Sequence, residues 1–159
     1  MAEQKTNVMR VLEQKKIKYT PHSYPHGDEA VDGLSVAALL GIDPAKIFKT
    51  LVTRGSSKGI YVFVIPVGAE LDLKKAAKAV GEKSIEMIHV NEINALTGYV
   101  RGGCSPIGMK KQYVTTYDES ALGQDTMVVS AGRIGFQVEL EPHVLITLTR
   151  GKTADITVK

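Results

Sequence analysis

Residues 98–111, GYVRGGCSPIGMKK, combine four glycines, a serine, a proline and a basic end. Clustered glycines let a backbone approach a ligand closely, and they free N–H groups to form an anion nest or an oxyanion hole. Arg101, Lys110 and Lys111 add positive charge to the same stretch. A plain surface loop is the competing reading, but loops this rich in glycine inside a compact domain point to function. Lys49 is the second chemistry-bearing residue, set between Phe48 and Thr50-Leu51-Val52 where a strand begins. A lysine in an apolar run is either on a solvated face or desolvated in a pocket, and pattern alone favours the solvated face. Lys74, Lys75 and Lys78 fall on one helix face, which is either an exposed face or a phosphate-contacting patch.

Other constellations fail on their own chemistry. His22 and His26 are four apart, with Asp28 and Glu29 just behind. That spacing suits zinc only on a helix, and Pro25 lies between them, so no metal site is expected. His89 and His143 are isolated. Gly103 to Lys110 resembles a phosphate-binding P-loop, but its lysine is one position late and no hydroxyl follows to hold magnesium. Cys104 has Arg101 near in sequence but no histidine, so a covalent role is disfavoured. The G-x-S-x-G pattern occurs at 55–59 (GSSKG), but in a stretch that reads as a hairpin loop and not as the strand-to-helix turn of a nucleophile elbow, so a serine hydrolase is unsupported. No cofactor motif is found.

These residues belong to a chain of 159, a length that fits one domain spanning 1–159. Hydrophobic residues at 43% and charged residues at 23% exclude disorder and a disulfide scaffold. The net charge of +3 permits a nucleic-acid partner without demanding one. The single cysteine suggests a reducing compartment. No signal-like or membrane-spanning run is seen, so a cytoplasmic location with no membrane partner is expected.

The elements that must position the site follow from capping and periodicity. The pattern predicts a helix over 6–16 capped by Thr6, then an irregular strand over 17–24 that Pro21 confines to an edge. Residues 25–34 read as an acidic turn region. A short helix over 35–40 ends at Gly41, and Asp43-Pro44 starts another helical turn. A hairpin joins the strand at Phe48 to the apolar strand 60–66, which reads as buried on both faces. Asp72 caps a helix over 73–80. A short strand over 85–88, a helix capped by Asn91, the glycine loop and strands at 113–117, 126–130 and 136–140 follow. A last helix starts near Pro142, and a strand closes the chain at 154–158. Without strict βαβ alternation, the class is α/β of the mixed α+β kind: a mixed or antiparallel sheet with helices around it.

Four stretches are similar, in order and spacing, to the YbaK/EbsC family, also called the prolyl-tRNA synthetase-associated editing domain family. They are DPAKIFKTLV (43–52), LDLKKAAKAVG (71–81), TGYVRGGCSPIGMKK (97–111) and VSAGRIGFQVEL (129–140). The resemblance is to its Cys-tRNA(Pro) deacylase branch. It implies a barrel-like mixed β-sheet flanked by helices in one domain. It also implies hydrolysis of mischarged Cys-tRNA(Pro), and in some members of Cys-tRNA(Cys), at the tRNA 3′ end, with prolyl-tRNA synthetase as a possible companion. By the same resemblance Lys49 becomes the pocket lysine, with Thr50 as its neighbouring hydroxyl. Tyr24, Gly102, Gly103 and Ser130 become the other substrate-binding positions. The implied mechanism needs no protein nucleophile, because the substrate's cysteine thiolate attacks its own ester. Two features depart from the family pattern: the short Tyr24-Pro25-His26-Gly27-Asp28 stretch, and Cys104 where an aliphatic residue is common. Three other readings stay open: a deacylase for Ala-tRNA(Pro) or another small aminoacyl ester using water, a non-catalytic module that binds tRNA or the synthetase, and, more remotely, a thiol enzyme using Cys104.

Overall fold

In the computed structural model, which describes residues 5–27 and 29–159, Thr6 starts the first helix by accepting the Met9 N–H at 3.2 Å. This helix, α1 (Asn7–Gln14), buries Val8, Met9 and Leu12 on the face that their spacing defines. Burial of side chains such as Val8 and Leu12 stabilises by roughly 1.5–3 kcal/mol each. The chain then forms β1 (Thr20–Ser23), α2 (Gly33–Leu40) and a 3₁₀ turn at Pro44–Lys46. Asp32 caps α2 and Asp43 caps the 3₁₀ turn, each through its carboxylate. The hairpin of β2 (Phe48–Gly55) and β3 (Ile60–Pro66) follows, then α3 (Leu73–Val80) and β4 (Ile85–Met87). A 3₁₀ turn at Val90–Glu92 leads into α4 (Ile93–Thr97). The rest is β5 (Val114–Asp118), a 3₁₀ turn at Glu119–Gly123, β6 (Met127–Ser130), β7 (Phe136–Leu140), α5 (Pro142–Leu148) and β8 (Lys152–Ala154).

The strands form two sheets. One is antiparallel in the order β1-β7-β6, with β1 at its edge where Pro21 costs least. The other runs β4-β2-β3-β5-β8 and is mixed, because β5 pairs in parallel with both β3 and β8. A parallel bridge between Ile47 and Val128 joins the sheets. The expected mixed architecture is therefore present, divided between two sheets that the Ile47–Val128 bridge connects.

Strand β3 is buried on both sides, as its continuous apolar run predicts. Val62 and Val64 face a core made with α1, β6 and β7, whereas Phe63 and Ile65 face Ala76 and Ala77 of α3. Three expectations shift. Asn91 does not cap α4; it lies inside the 3₁₀ turn, where Glu92 accepts the His89 N–H at 3.0 Å. The last strand comes earlier than expected, because Ile156 and Thr157 are held elsewhere. The Ile156 N–H goes to Asp118, and Thr157 bridges to Leu71. The turn at Glu119–Gly123 was not expected. No helix among the described residues is long and apolar enough to cross a membrane.

Candidate active site

The join between the sheets creates the site. Strand β2 leaves the bridge at Ile47 and next meets β4 at Thr53, so among the described residues its outer edge at 49–51 has no strand paired beside it. Strand β6 leaves the same bridge at Val128 and ends at Ser130. A cleft of ≈ 1050 Å³ opens in this fork. Its walls include Tyr24, Lys49, Thr50, Gly102, Cys104, Ser130 and Gln137. Segments 29–33 and 100–102 and the turn carrying Val90 and Asn91 complete its rim.

Lys49 is half-buried and forms no hydrogen bond or ion pair among the described residues. Burial lowers its pKa below the ordinary lysine value, and the field of Glu70 opposes that shift in part. The solvated-face reading of Lys49 thus gives way to a partly desolvated, unpaired ammonium on a cleft wall. Beside it, the Thr50 hydroxyl oxygen is buried without a hydrogen-bond partner among the described residues. An orphaned buried hydroxyl carries a desolvation cost that a ligand could relieve.

Tyr24 enters at the end of β1. Its N–H donates to the Gly135 carbonyl at 3.0 Å, and its ring meets His26 edge-on. Gly135 has φ +95°, and a Cβ there would overlap the His26 ring, so glycine is required for this close approach. Asp28, which follows the His22 and His26 pair in sequence, lies outside the described residues. No group of three His, Cys, Asp or Glu residues among those described could hold a metal ion.

The glycine loop is pinned at its root. The Thr97 hydroxyl donates to the Ile93 carbonyl at 2.7 Å and accepts the Tyr99 N–H at 3.1 Å. The Tyr99 hydroxyl donates to the Ile107 carbonyl, and the Ser105 hydroxyl accepts the Ile107 N–H at 3.2 Å. Ser105 is thus a buried structural serine. Gly102 takes φ +83°, and a Cβ there would lie 2.6 Å from that of Ala30, so the loop seats directly on the 29–33 segment. Among the described residues the Gly102 N–H has no partner. Gly103 differs: it is buried, does not line the cleft, and its N–H donates to the Val100 carbonyl at 2.9 Å. That hydrogen closes the turn and is not free to bind an oxyanion.

Cys104 is 9% exposed, in an apolar cluster with Val52 and Ile88. Burial pushes its thiol up to about 11, so it stays protonated near neutral pH. Cys104→Ala is expected to change kcat/KM by less than about threefold, and iodoacetamide should inactivate the native protein only slowly. Rapid inactivation that tracks alkylation of Cys104 would make it a nucleophile.

Gln137 was missed at the sequence level. It is 6% exposed, lines the cleft, and its side chain has no hydrogen-bond partner among the described residues. It pairs directly across from Ser130 in the β6–β7 register, which brings the two side chains to one face. The Ser130 hydroxyl accepts the Gly132 N–H at 3.1 Å, which leaves its own hydrogen available to donate. The register of the hairpin around Gly132–Gly135 was the signal that could have found Gln137.

The family model of the aminoacyl-tRNA editing domain matches residues 29–148, and the chain belongs to that family. It is 50% identical over 157 residues to EbsC of Enterococcus faecalis, which carries the provisional name Cys-tRNA(Pro)/Cys-tRNA(Cys) deacylase. That match covers 99% of this chain and 96% of EbsC. A second relative, the uncharacterized YwhH of Bacillus subtilis, is 28% identical over 69% of each chain. Among solved structures, a provisional trans-editing enzyme for prolyl-tRNA synthetase superposes with TM-score 0.83 at 26% identity, covering 99% of this chain and 100% of that one. A hypothetical protein at 24% identity shares the fold with TM-score 0.86, over 96% of this chain and 100% of its own.

Proposed function

We propose that this protein is a trans-editing deacylase that cleaves the ester of mischarged Cys-tRNA(Pro), and of Cys-tRNA(Cys), with the substrate's own thiol as nucleophile. The observation that carries this reading is the mismatch between what the cleft offers and what it lacks. It offers an unpaired ammonium at Lys49 and hydroxyls at Tyr24, Thr50 and Ser130. Among its described lining residues there is no histidine to act as a base, the one thiol is protonated, and of the two carboxylates Asp32 is held by Ser35 while Glu29 is exposed to solvent. Such a site orients and neutralises; it does not activate a nucleophile of its own.

In this reading the cysteinyl thiolate attacks its own ester carbonyl. A C–S bond forms, the C–O bond to the ribose breaks, and the leaving oxygen takes a proton as the thiolactone departs. Lys49 neutralises the carbonyl or leaving oxygen. The Gly102 N–H faces the developing charge, and Tyr24, Thr50, Ser130 and Gln137 fix the aminoacyl group. Gly103 supports the loop from beneath. Holding the reacting atoms in line can supply roughly 7–11 kcal/mol. The net charge of only +3 implies weak intrinsic affinity for a tRNA body, so choice of tRNA(Pro) would fall to a complex with prolyl-tRNA synthetase in the cytoplasm.

The test is release of labelled amino acid from Cys-tRNA(Pro), Cys-tRNA(Cys) and Ala-tRNA(Pro) in parallel. Release of cysteine from both cysteinyl substrates is expected. Release of alanine instead would keep the pocket and replace the thiol by water. Binding without any release would make the protein a tRNA-binding module.

A further inference from the structure

A cleft of ≈ 1050 Å³ is at the upper end of small-molecule sites and exceeds what a cysteinyl group fills. It has room for the terminal nucleoside as well. The phosphodiester chain of such a substrate must then leave through the mouth, where Arg101 stands, with Arg133 on the adjoining turn next to the lining residue Ile134. Arg101 lines the cleft and is exposed. Arg133 is exposed on the β6–β7 turn, with its guanidinium carbon 5.9 Å from the centroid of the Phe136 ring, which limits its motion. Their loops are in contact: a Cβ on Gly103 would lie 3.1 Å from the Ile134 nitrogen and 3.2 Å from Arg133 Cα.

Both arginines are unspent. Among the described residues neither forms an ion pair. Of the acids on the cleft wall, Glu29 pairs with neither arginine. Asp32 is occupied by the Ser35 N–H at 3.0 Å and the Ser35 hydroxyl at 2.7 Å. The competing basic cluster on α3 is placed less well. Lys75 is tied to Asp155 and to the Thr157 carbonyl, and no residue of α3 lines the cleft. Lys110 lies across Gly98, away from the cleft lining.

We propose that Arg101 and Arg133 grip two phosphates of a single-stranded RNA 3′ end whose last nucleoside occupies the cleft. The proposal rests on the deacylase reading and adds where the substrate backbone leaves the site. The guanidinium fork matches phosphate geometry, and two such contacts fit a chain whose net charge is only +3.

The experiment titrates a fluorescent, uncharged acceptor-stem minihelix ending in CCA against the full chain at several salt concentrations. Wild type, Arg101→Gln/Arg133→Gln and Lys74→Gln/Lys78→Gln are compared. Each single-strand phosphate contact contributes about 0.7 to the slope of log affinity against log salt, so the arginine variant should lose about 1.4 from that slope. The α3 variant should keep the wild-type slope. The ratio of kcat/KM for Cys-tRNA to that for phosphate-free cysteinyl-adenosine should also fall about tenfold or more in the arginine variant. If the double variant melts early because Arg133 has left Phe136, Arg101→Gln alone carries the test, with about 0.7 lost. An unchanged slope, an equal loss in the α3 variant, or no binding by wild type would overturn the proposal. Arginine-dependent binding without release from any ester would leave this contact standing and remove the deacylase reading.

Discussion

Lys49→Ala is expected to lower kcat/KM for Cys-tRNA(Pro) by about 10²–10³-fold, the cost of losing one preorganised charge-stabilising group. The variant should stay folded, and the reason is structural. Lys49 makes no hydrogen bond or ion pair among the described residues, so truncation strands no partner. Its pKa is depressed mainly by burial, with Glu70 acting in the other direction. The unfolded chain therefore binds more protons than the folded one between the two pKa values. Stability rises with pH across that window, and the charged side chain is a liability at neutral pH. Removing it should leave the melting temperature equal or higher. Lys49→Met, which keeps the packing of the stem, should be at least as stable as wild type and just as inactive. Thermal melts beside single-turnover assays check both halves. Near-normal turnover in folded Lys49→Ala would remove Lys49 from the chemistry, whereas a sharp drop in melting temperature would make it structural.

Much of the frame was legible before the structure. Thr6, Asp43 and Asp72 announce their helical segments because a short oxygen-bearing side chain before an apolar period satisfies backbone N–H groups that nothing else reaches. The two-faced burial of β3 follows from its unbroken apolar run. Asn91 misled because the acceptor that holds this turn is Glu92, which also receives Arg54 of β2 at 2.8 Å. No local pattern discloses that long-range pair. The candidate positions come one residue at a time from the resemblance, which does not show the surface that gathers them. Whether Gly102 or Gly103 keeps a free N–H depends on a single turn bond to Val100. Gln137 shares the cleft only because β7 pairs with β6 in one register, and a one-residue slip would turn it away. The pocket position of Lys49 depends on β2 having no neighbour between its bridge to β6 and its pairing with β4. That is a property of sheet order, which strand-by-strand reading does not contain.

A seryl ester on the same tRNA should be cleaved at least about a thousandfold more slowly than the cysteinyl ester. Serine and cysteine differ by one atom, so a pocket that merely accommodates the side chain would separate them weakly. A mechanism that uses the side chain as nucleophile separates them strongly. A thiol with pKa near 8.5 is partly ionised at neutral pH, whereas a hydroxyl is not. The first product should be a thiolactone, one water lighter than cysteine. The pH profile carries the same logic with two signs. The rate should rise with pH as the substrate thiol ionises and fall again as Lys49 loses its proton. Because burial holds Lys49 below its ordinary value of 10.5, that fall should begin below the pH at which an exposed lysine titrates. Glu70→Gln removes the influence that raises the Lys49 pKa, so the falling limb should move to lower pH. In Lys49→Ala the falling limb should vanish from the residual rate while the rising limb, which belongs to the substrate, stays. Equal rates for the two esters, or a rising limb that follows a protein variant, would transfer the nucleophile from the substrate to water or to the protein.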